Sequence, residues 1–344
     1  MPQKGLHLGL VGVGRIGRFH AQTLSTLPGV SRLTIADLDA DHAAAVAAEV
    51  GAGVTESPEE IVGAGVDALV IATSTPGHVP MLELAAEAGV AAFCEKPVAL
   101  ELEVLDRVVE DVERSGVLVQ IGFQRRFDAG YRAARDAVAA GRLGTLLVLR
   151  AATHDPVPPA DDYIAASGGI FRDLHIHDFD AIRFVTGQEV AEVYADGAVR
   201  ETPWFEDHGD VDAAAAVLRL GDGALAVLTG TRHDALGYDV RLEVFGSRDS
   251  VAVGVDDRTP LHSLEPDAEN APAHAYRDFV ERFQAAYRSE LQEFVAVVRD
   301  GGPSPCTLAD ARAALAVALA AGRSRAEHRP VAIEEVTSAE TVAG

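Results

Sequence analysis

Cysteine is scarce. The 344 residues contain only Cys94 and Cys306, far apart and without a CxxC pair, which argues against a disulfide framework or a zinc knuckle and for a reducing compartment. Long apolar runs are missing too: no stretch approaches the roughly 18 residues that a membrane helix needs. The opening Met1-Pro2-Gln3-Lys4-Gly5 runs into a strand-like segment with no signal-peptide core. These absences predict a soluble, cytoplasmic protein. Positive charge is short as well, with 29 Lys and Arg against 53 Asp and Glu and a formal net charge of −24. So acidic a chain repels phosphate backbones and anionic lipid, which sets nucleic acid and membrane surfaces aside and favours a small neutral ligand. Lysine is the rarest cation. Only Lys4 and Lys96 occur, and the other 27 basic residues are arginines. Lys4 falls in the N-terminal tail, leaving Lys96 as the one lysine inside the fold. Either that position needs a compact amine able to titrate, or it is a chance survivor.

What is present is ordinary globular material, 48% hydrophobic and 24% charged, at a length that predicts two domains of about 150 residues each. Over the first 125 residues short Val-, Ile-, Leu- and Ala-rich runs (6–11, 32–36, 67–72, 91–94 and 117–122) alternate with helical spacing (15–27, 40–50, 58–63, 78–88 and 100–115). Such runs do not alternate in polarity, as expected of strands buried on both faces. The alternation of strand with helix predicts βαβ units and a doubly wound parallel sheet. Beyond residue 125 the pattern changes. A helix (129–140), a strand ending near Thr153, a Pro-rich loop and a helical stretch from about Phe171 to Val185 precede strand-like runs at 189–199, 212–219, 224–231, 240–245 and 250–255. Two helices, 276–299 and 308–327, follow. The expected division is 1–125 and 126–344, the second part α+β with a large, mainly antiparallel sheet whose open face would serve oligomerisation.

Gly12-Val13-Gly14-Arg15-Ile16-Gly17 closes the first strand and opens the first helix. Glycines at this spacing allow a tight turn, close approach of a pyrophosphate and close helix–strand packing, with the helix N-terminus toward the phosphates. Asp37 lies 20 residues past Gly17 at the end of the second strand, where a carboxylate takes the ribose hydroxyls of NAD and disfavours NADP. The alternative is a glycine-rich turn with a surface Asp. Thr73, Ser74 and His78, at the end of the third strand, would contact the cofactor or cap a loop. Glu95 and Lys96 end the fourth, where nicotinamide and substrate meet, or else form a surface ion pair. In Gly168-Gly169-Ile170-Phe171-Arg172-Asp173-Leu174-His175-Ile176-His177-Asp178-Phe179-Asp180 a strand would put His175 and His177 on one face, suiting a metal. A helix pairs Asp173 with His177 instead, as an oriented general base. The continuing helical period and the lack of a cysteine cluster favour the helix and no metal.

Together the glycine loop, Asp37, Glu95-Lys96-Pro97 and the Asp173/His177 segment resemble the glucose–fructose oxidoreductase and inositol dehydrogenase family, over essentially the whole chain. The resemblance implies a Rossmann domain that binds NAD, followed by an α+β substrate and oligomerisation domain. It also implies oxidation of a secondary hydroxyl of a cyclic polyol or sugar, and commonly a homotetramer. By the same resemblance Lys96, Asp173 and His177 form the catalytic group, and Arg126, His154, Asp180 and Tyr238 line the polyol pocket. A dinucleotide-binding regulator without chemistry is the rival from another class, and it would have no need of a base. Two segments depart from the family pattern. Gly230-Thr231-Arg232-His233-Asp234-Ala235-Leu236 lacks the Asn–Ser start and the aromatic expected at 236, and Pro203-Trp204-Phe205-Glu206-Asp207-His208 forms an unusual loop. Both bear on which substrate is taken.

Overall fold

A computed structural model describes residues 5–266 and 274–338, so Lys4 lies outside the described residues. The chain divides into two compact units. The first takes the chain up to Gln124 and regains Ala285–Arg312; the second holds Arg125–Gln284 and the chain from Ala313 onward. A division at 125/126 alone therefore puts the returning segment on the wrong side.

In the first unit, β1 (Leu6–Val11), β2 (Val30–Ala36), β3 (Gly53–Val54), β4 (Ala68–Ile71), β5 (Ala91–Glu95) and β6 (Val119–Gly122) form one sheet in the order β3-β2-β1-β4-β5-β6. Every neighbouring pair is parallel. The connecting helices are α1 (Arg15–Leu24), α2 (Ala40–Val50), α3 (Pro58–Gly63), α4 (His78–Ala88) and α5 (Leu102–Ser115). Asp39 and Ser57 cap α2 and α3 by accepting from the His42 and Glu60 amides, and left-handed Gly51, Gly89 and Gly116 end α2, α4 and α5. All four residues of β4 are buried, as a central strand covered on both faces requires. Leu8, Leu10, Ile35, Val70 and Phe93 pack with Leu291, Phe294 and Val295 of the returning segment in one core. The strand order reverses between β1 and β4, the place where such sheets open a crevice at their carboxyl ends.

The second unit is built on a seven-stranded sheet of β7 (Leu146–His154), β8 (Val190–Ala198), β9 (Ala213–Leu220), β10 (Leu225–Thr231), β11 (Asp239–Gly246), β12 (Ser250–Val253) and β13 (Val331–Ala332), ordered β12-β11-β7-β10-β9-β8-β13. Only the β7–β10 pair is parallel. Burial alternates along β9 and β10. One face buries Ala216, Leu218, Ala226 and Leu228, while the other leaves Tyr194, Val217 and Val227 exposed in register across three strands. The helices are α6 (Ala129–Ala139), α7 (Asp161–Ser167), α8 (Ile170–Asp173), α9 (Ile176–Thr186), α10 (Phe279–Asp300), α11 (Leu308–Glu327) and α12 (Glu334–Thr337). Both α10 and α11 run through the unit divisions, and Phe283 in α10 departs from helical geometry (φ −113°, ψ 17°).

The helix expected over 171–185 is two helices. The Leu174 and His175 amides both bond to the Ile170 carbonyl, which widens the turn by one residue and ends α8. His175 then serves as the residue before α9, its ring turned inward. The short strands β3 and β13 and the helix α7 went unanticipated.

Candidate active site

The glycine loop after β1 shows three different demands. At Gly12 (φ +88°) a Cβ would lie 2.7 Å from the backbone of Ala72 and Thr73, and at Gly17 it would lie 2.0 Å from the Gly12 carbonyl oxygen. No side chain fits either place. A Cβ at Gly14 would meet nothing within 4 Å, so the loop is open at the N-terminus of α1, where no acidic side chain occupies the first turn. The Asp37 carboxylate accepts from the Val13 amide at 2.7 Å and the Asp39 amide at 2.9 Å, and His42 Nε2 holds the Val13 carbonyl at 2.8 Å. Each Asp37 oxygen retains a lone pair for a ribose hydroxyl. These residues fit a bound dinucleotide: Gly14 and the α1 N-terminus, with Arg15 and Ile16 in its first turn, for the pyrophosphate and Asp37 for the ribose.

At the ends of β4 and β5 the picture differs from expectation. His78 is buried, with Nδ1 on the Pro97 carbonyl at 2.7 Å and Nε2 on the Thr73 carbonyl at 3.0 Å. Neither ring nitrogen is left for a cofactor. The imidazole is a strut between two loops, and burial pushes its pKa down against the two carbonyls and Glu95 that favour protonation. Thr73 and Ser74 stay at the strand end, the Thr73 hydroxyl donating to the Ser74 carbonyl. Glu95 also points inward, its Oε1 2.6 Å from Nε2 of the buried His20. Lys96 follows immediately, half-buried and joined to Pro97 by a cis peptide bond. It is the one lysine among the described residues.

In the second unit the Gly168-Gly169 pair adopts positive φ (82° and 89°), and a Cβ at Gly169 would meet the Asp210 carboxylate that caps the Ile170 amide. This turn launches α8 and brings Asp173 into a buried ion pair. Arg232 Nη2 donates to Asp173 Oδ2 at 2.8 Å, Tyr163 Oη donates to Oδ1 at 2.9 Å, and Arg232 Nη1 reaches Asp155 at 3.2 Å. Burial works against the Arg232 charge, but Asp173 and Asp155 outweigh it and hold the guanidinium protonated. Burial and the Asp173 charge push the Tyr163 hydroxyl up. Nothing in the residue pattern pointed to Tyr163 or Arg232 as partners of Asp173. The one hint is that Arg232 lies in the segment that departs from the family pattern.

His175 is a core residue. Its Nδ1 bonds Asp178 Oδ2 at 2.8 Å, its ring stacks on Phe171 at 6.0 Å, and the same Asp178 receives Arg125 at 2.5 Å and the Thr153 hydroxyl at 2.8 Å. His177 stands in the first turn of α9, one residue after the helix start. Arg126 and Asp180, both expected in the polyol pocket, form a closed bidentate pair at 2.8 and 2.6 Å, with Asp180 1% exposed. His154 closes β7 with Nδ1 on the Thr231 hydroxyl at 2.9 Å, and burial lowers its pKa. Tyr238 is buried, and that burial, opposed by Arg125, raises its pKa. Among the described residues no three His, Cys, Asp or Glu side chains are grouped to hold a metal ion, and no helix is long and apolar enough to cross a membrane.

Residues 6–123 match the model of an oxidoreductase family with an NAD-binding Rossmann fold, and residues 131–252 match the GFO/IDH/MocA C-terminal domain. The chain is 36% identical over 333 residues to a myo-inositol 2-dehydrogenase of Thermotoga maritima, covering 96% of this chain and 99% of that one. Its fold is similar to the crystal structure of a myo-inositol dehydrogenase from Corynebacterium glutamicum, with a TM-score of 0.87, 36% identity and coverage of 96% and 99%. It is also similar to scyllo-inositol dehydrogenase of Lactobacillus casei, solved with NAD(H) and scyllo-inositol, with a TM-score of 0.86, 28% identity and the same coverage.

Proposed function

The chain belongs to the GFO/IDH/MocA family of NAD-binding oxidoreductases, and we propose that within it the protein oxidises a secondary hydroxyl of a cyclic polyol, with myo-inositol giving the 2-keto product. The observation that carries this reading is the full-length similarity to inositol dehydrogenases; Lys96, Asp173 and His177 are assigned to the reaction by the family resemblance of their sequence motifs. NAD, when bound, supplies the hydride acceptor. His177 takes the proton of the hydroxyl being oxidised. Asp173, gripped by Tyr163 and Arg232, is the orienting partner of that imidazole. Lys96 carries the positive charge that steadies the developing alkoxide. Arg126 and Asp180, bonded to each other, present the substrate with one rigid polar wall rather than two free groups, and His154 and Tyr238 supply further hydrogen bonds.

A second reading, an enzyme for another inositol isomer or a pyranose, is favoured by Arg232 and its neighbours, where the chain leaves the family pattern. Assaying NAD reduction across inositol isomers and pyranoses decides between them. Highest kcat/KM with myo-inositol supports the first reading, a different isomer or sugar the second, and no reduction with any of them rejects both. We also read the exposed Tyr194, Val217 and Val227 row as a homo-oligomer surface, a tetramer by family resemblance, in a cytoplasmic protein. A monomeric mass by light scattering would contradict the oligomer.

A further inference from the structure

Behind the carboxyl ends of β5 and β6 the returning segment inserts a second carboxyl group. Glu290, on α10, is 0% exposed, and neither of its carboxyl oxygens has a hydrogen-bond partner. Gln120, on β6, is equally buried; its amide nitrogen donates to the Glu290 main-chain carbonyl at 3.1 Å, and its amide oxygen is unpartnered. On the other side Glu95 faces His20, which is boxed by Phe19, Phe93 and Tyr287. A carboxylate without a donor in such a place is costly, whereas a neutral acid is itself a donor. The Gln120 amide oxygen is a further buried polar atom without a partner. Burial raises the Glu290 pKa well above the ordinary carboxylate range, and the charges of Glu95 and of Glu293, one turn along α10, raise it further.

The cluster joins three parts of the unit. His20 belongs to α1, the helix that begins at the glycine loop, Glu95 is the last residue of β5 and Lys96 is the next. An ionised Glu290 would set a second buried carboxylate charge against Glu95, whose own carboxyl holds His20.

We propose that Glu290 is a positioning residue for the oxidation: held as a neutral acid, it sets no second charge against Glu95 in the buried cluster, and so fixes the Glu95–Lys96 turn. This rests on Lys96 acting in the proposed reaction. The test compares the wild type with Glu290→Gln, which keeps the shape and the donor but cannot ionise. In infrared difference spectra near neutral pH the wild type shows an un-ionised buried carboxyl band that E290Q lacks; spectra without that difference overturn the proposal. Lys96 is then followed by acylation and peptide mapping across alkaline pH, a readout that needs no turnover. Its reactivity profile diverges between wild type and E290Q by at least about threefold, and coincident profiles overturn the positioning role. With NAD and myo-inositol, E290Q keeps kcat at alkaline pH where the wild type declines, with KM for NAD unchanged within about twofold. Coincident pH–kcat curves overturn the link to catalysis. A wild type inactive toward every polyol, with the first two readouts as expected, refutes the reaction and leaves Glu290 as the support of Lys96.

Discussion

Replacing Arg232 with Met removes the buried cation beside Asp173 while keeping most of the side chain's length. The Asp173 carboxylate is 8% exposed and the Asp155 carboxylate 25%. Water therefore relieves Asp155, whose contact at 3.2 Å contributes little, and the loss falls on Asp173, which keeps the Tyr163 hydroxyl but loses its buried cation. Breaking a buried pair from one side costs about 3–5 kcal/mol. For a unit of this size each kcal/mol shifts melting by about 2–4 °C, so the second unit's transition drops by about 6–20 °C. Adding Asp173→Asn removes the stranded charge but keeps an acceptor for Tyr163, and the double variant regains at least about half of the lost melting temperature. It does not regain turnover, since the orienting carboxylate is gone. Differential scanning calorimetry of the three proteins is the assay. A single variant melting within about 2 °C of the wild type, or a double variant melting no higher than the single, refutes the reasoning.

Asp37→Ala narrows the preference for NAD over NADP mainly by weakening NAD. The wild-type ratio of kcat/KM is at least about tenfold, or 1.4 kcal/mol, and equal use of both cofactors by the wild type contradicts the role of Asp37. Lys96→Arg keeps the charge but substitutes a planar guanidinium that does not release a proton near neutral pH. Steady-state turnover falls at least about a hundredfold, or 2.7 kcal/mol, and near-normal turnover in a folded variant rejects Lys96 as catalytic. Burial alone would raise the Asp178 pKa, but the Arg125 charge and the His175 and Arg125 hydrogen bonds hold it below the usual carboxylate range. Its folded pKa is thus depressed, so the stability it contributes is complete above about pH 4 and is lost as pH falls through the folded value. Asp178→Asn consequently melts well below the wild type at neutral pH, because Arg125 is stranded, and the gap shrinks on acidification; a gap independent of pH refutes this.

The parallel sheet was legible because strands covered on both faces read as short apolar runs, and the glycine loop because three geometric demands fall on three glycines in a row of six. The second sheet was legible from strand-like runs separated by turn residues. What escaped depends on contacts distant in sequence. That Ala285–Arg312 rejoins the first unit follows from Leu291, Phe294 and Val295 completing a core around β1, β2 and β5, which helical periodicity does not reveal. The break between α8 and α9 depends on His175 finding Asp178, and local propensity favours an unbroken helix there. His78 and Glu95 sit at the strand ends where cofactor contacts gather, yet both turn inward onto Pro97, Thr73 and His20. Arg232 and Asp173 are 59 residues apart, and no spacing rule joins them.

In the proposed reaction a secondary hydroxyl carbon of a cyclic polyol loses hydride to NAD. This transfer is tested most directly with myo-inositol carrying deuterium on carbon 2. The purified protein is expected to reduce NAD with this substrate, with the deuterium appearing in the reduced nicotinamide and turnover slowing or staying level relative to unlabelled substrate. Reduction of NAD with the label retained in the polyol, or released to solvent, would contradict it.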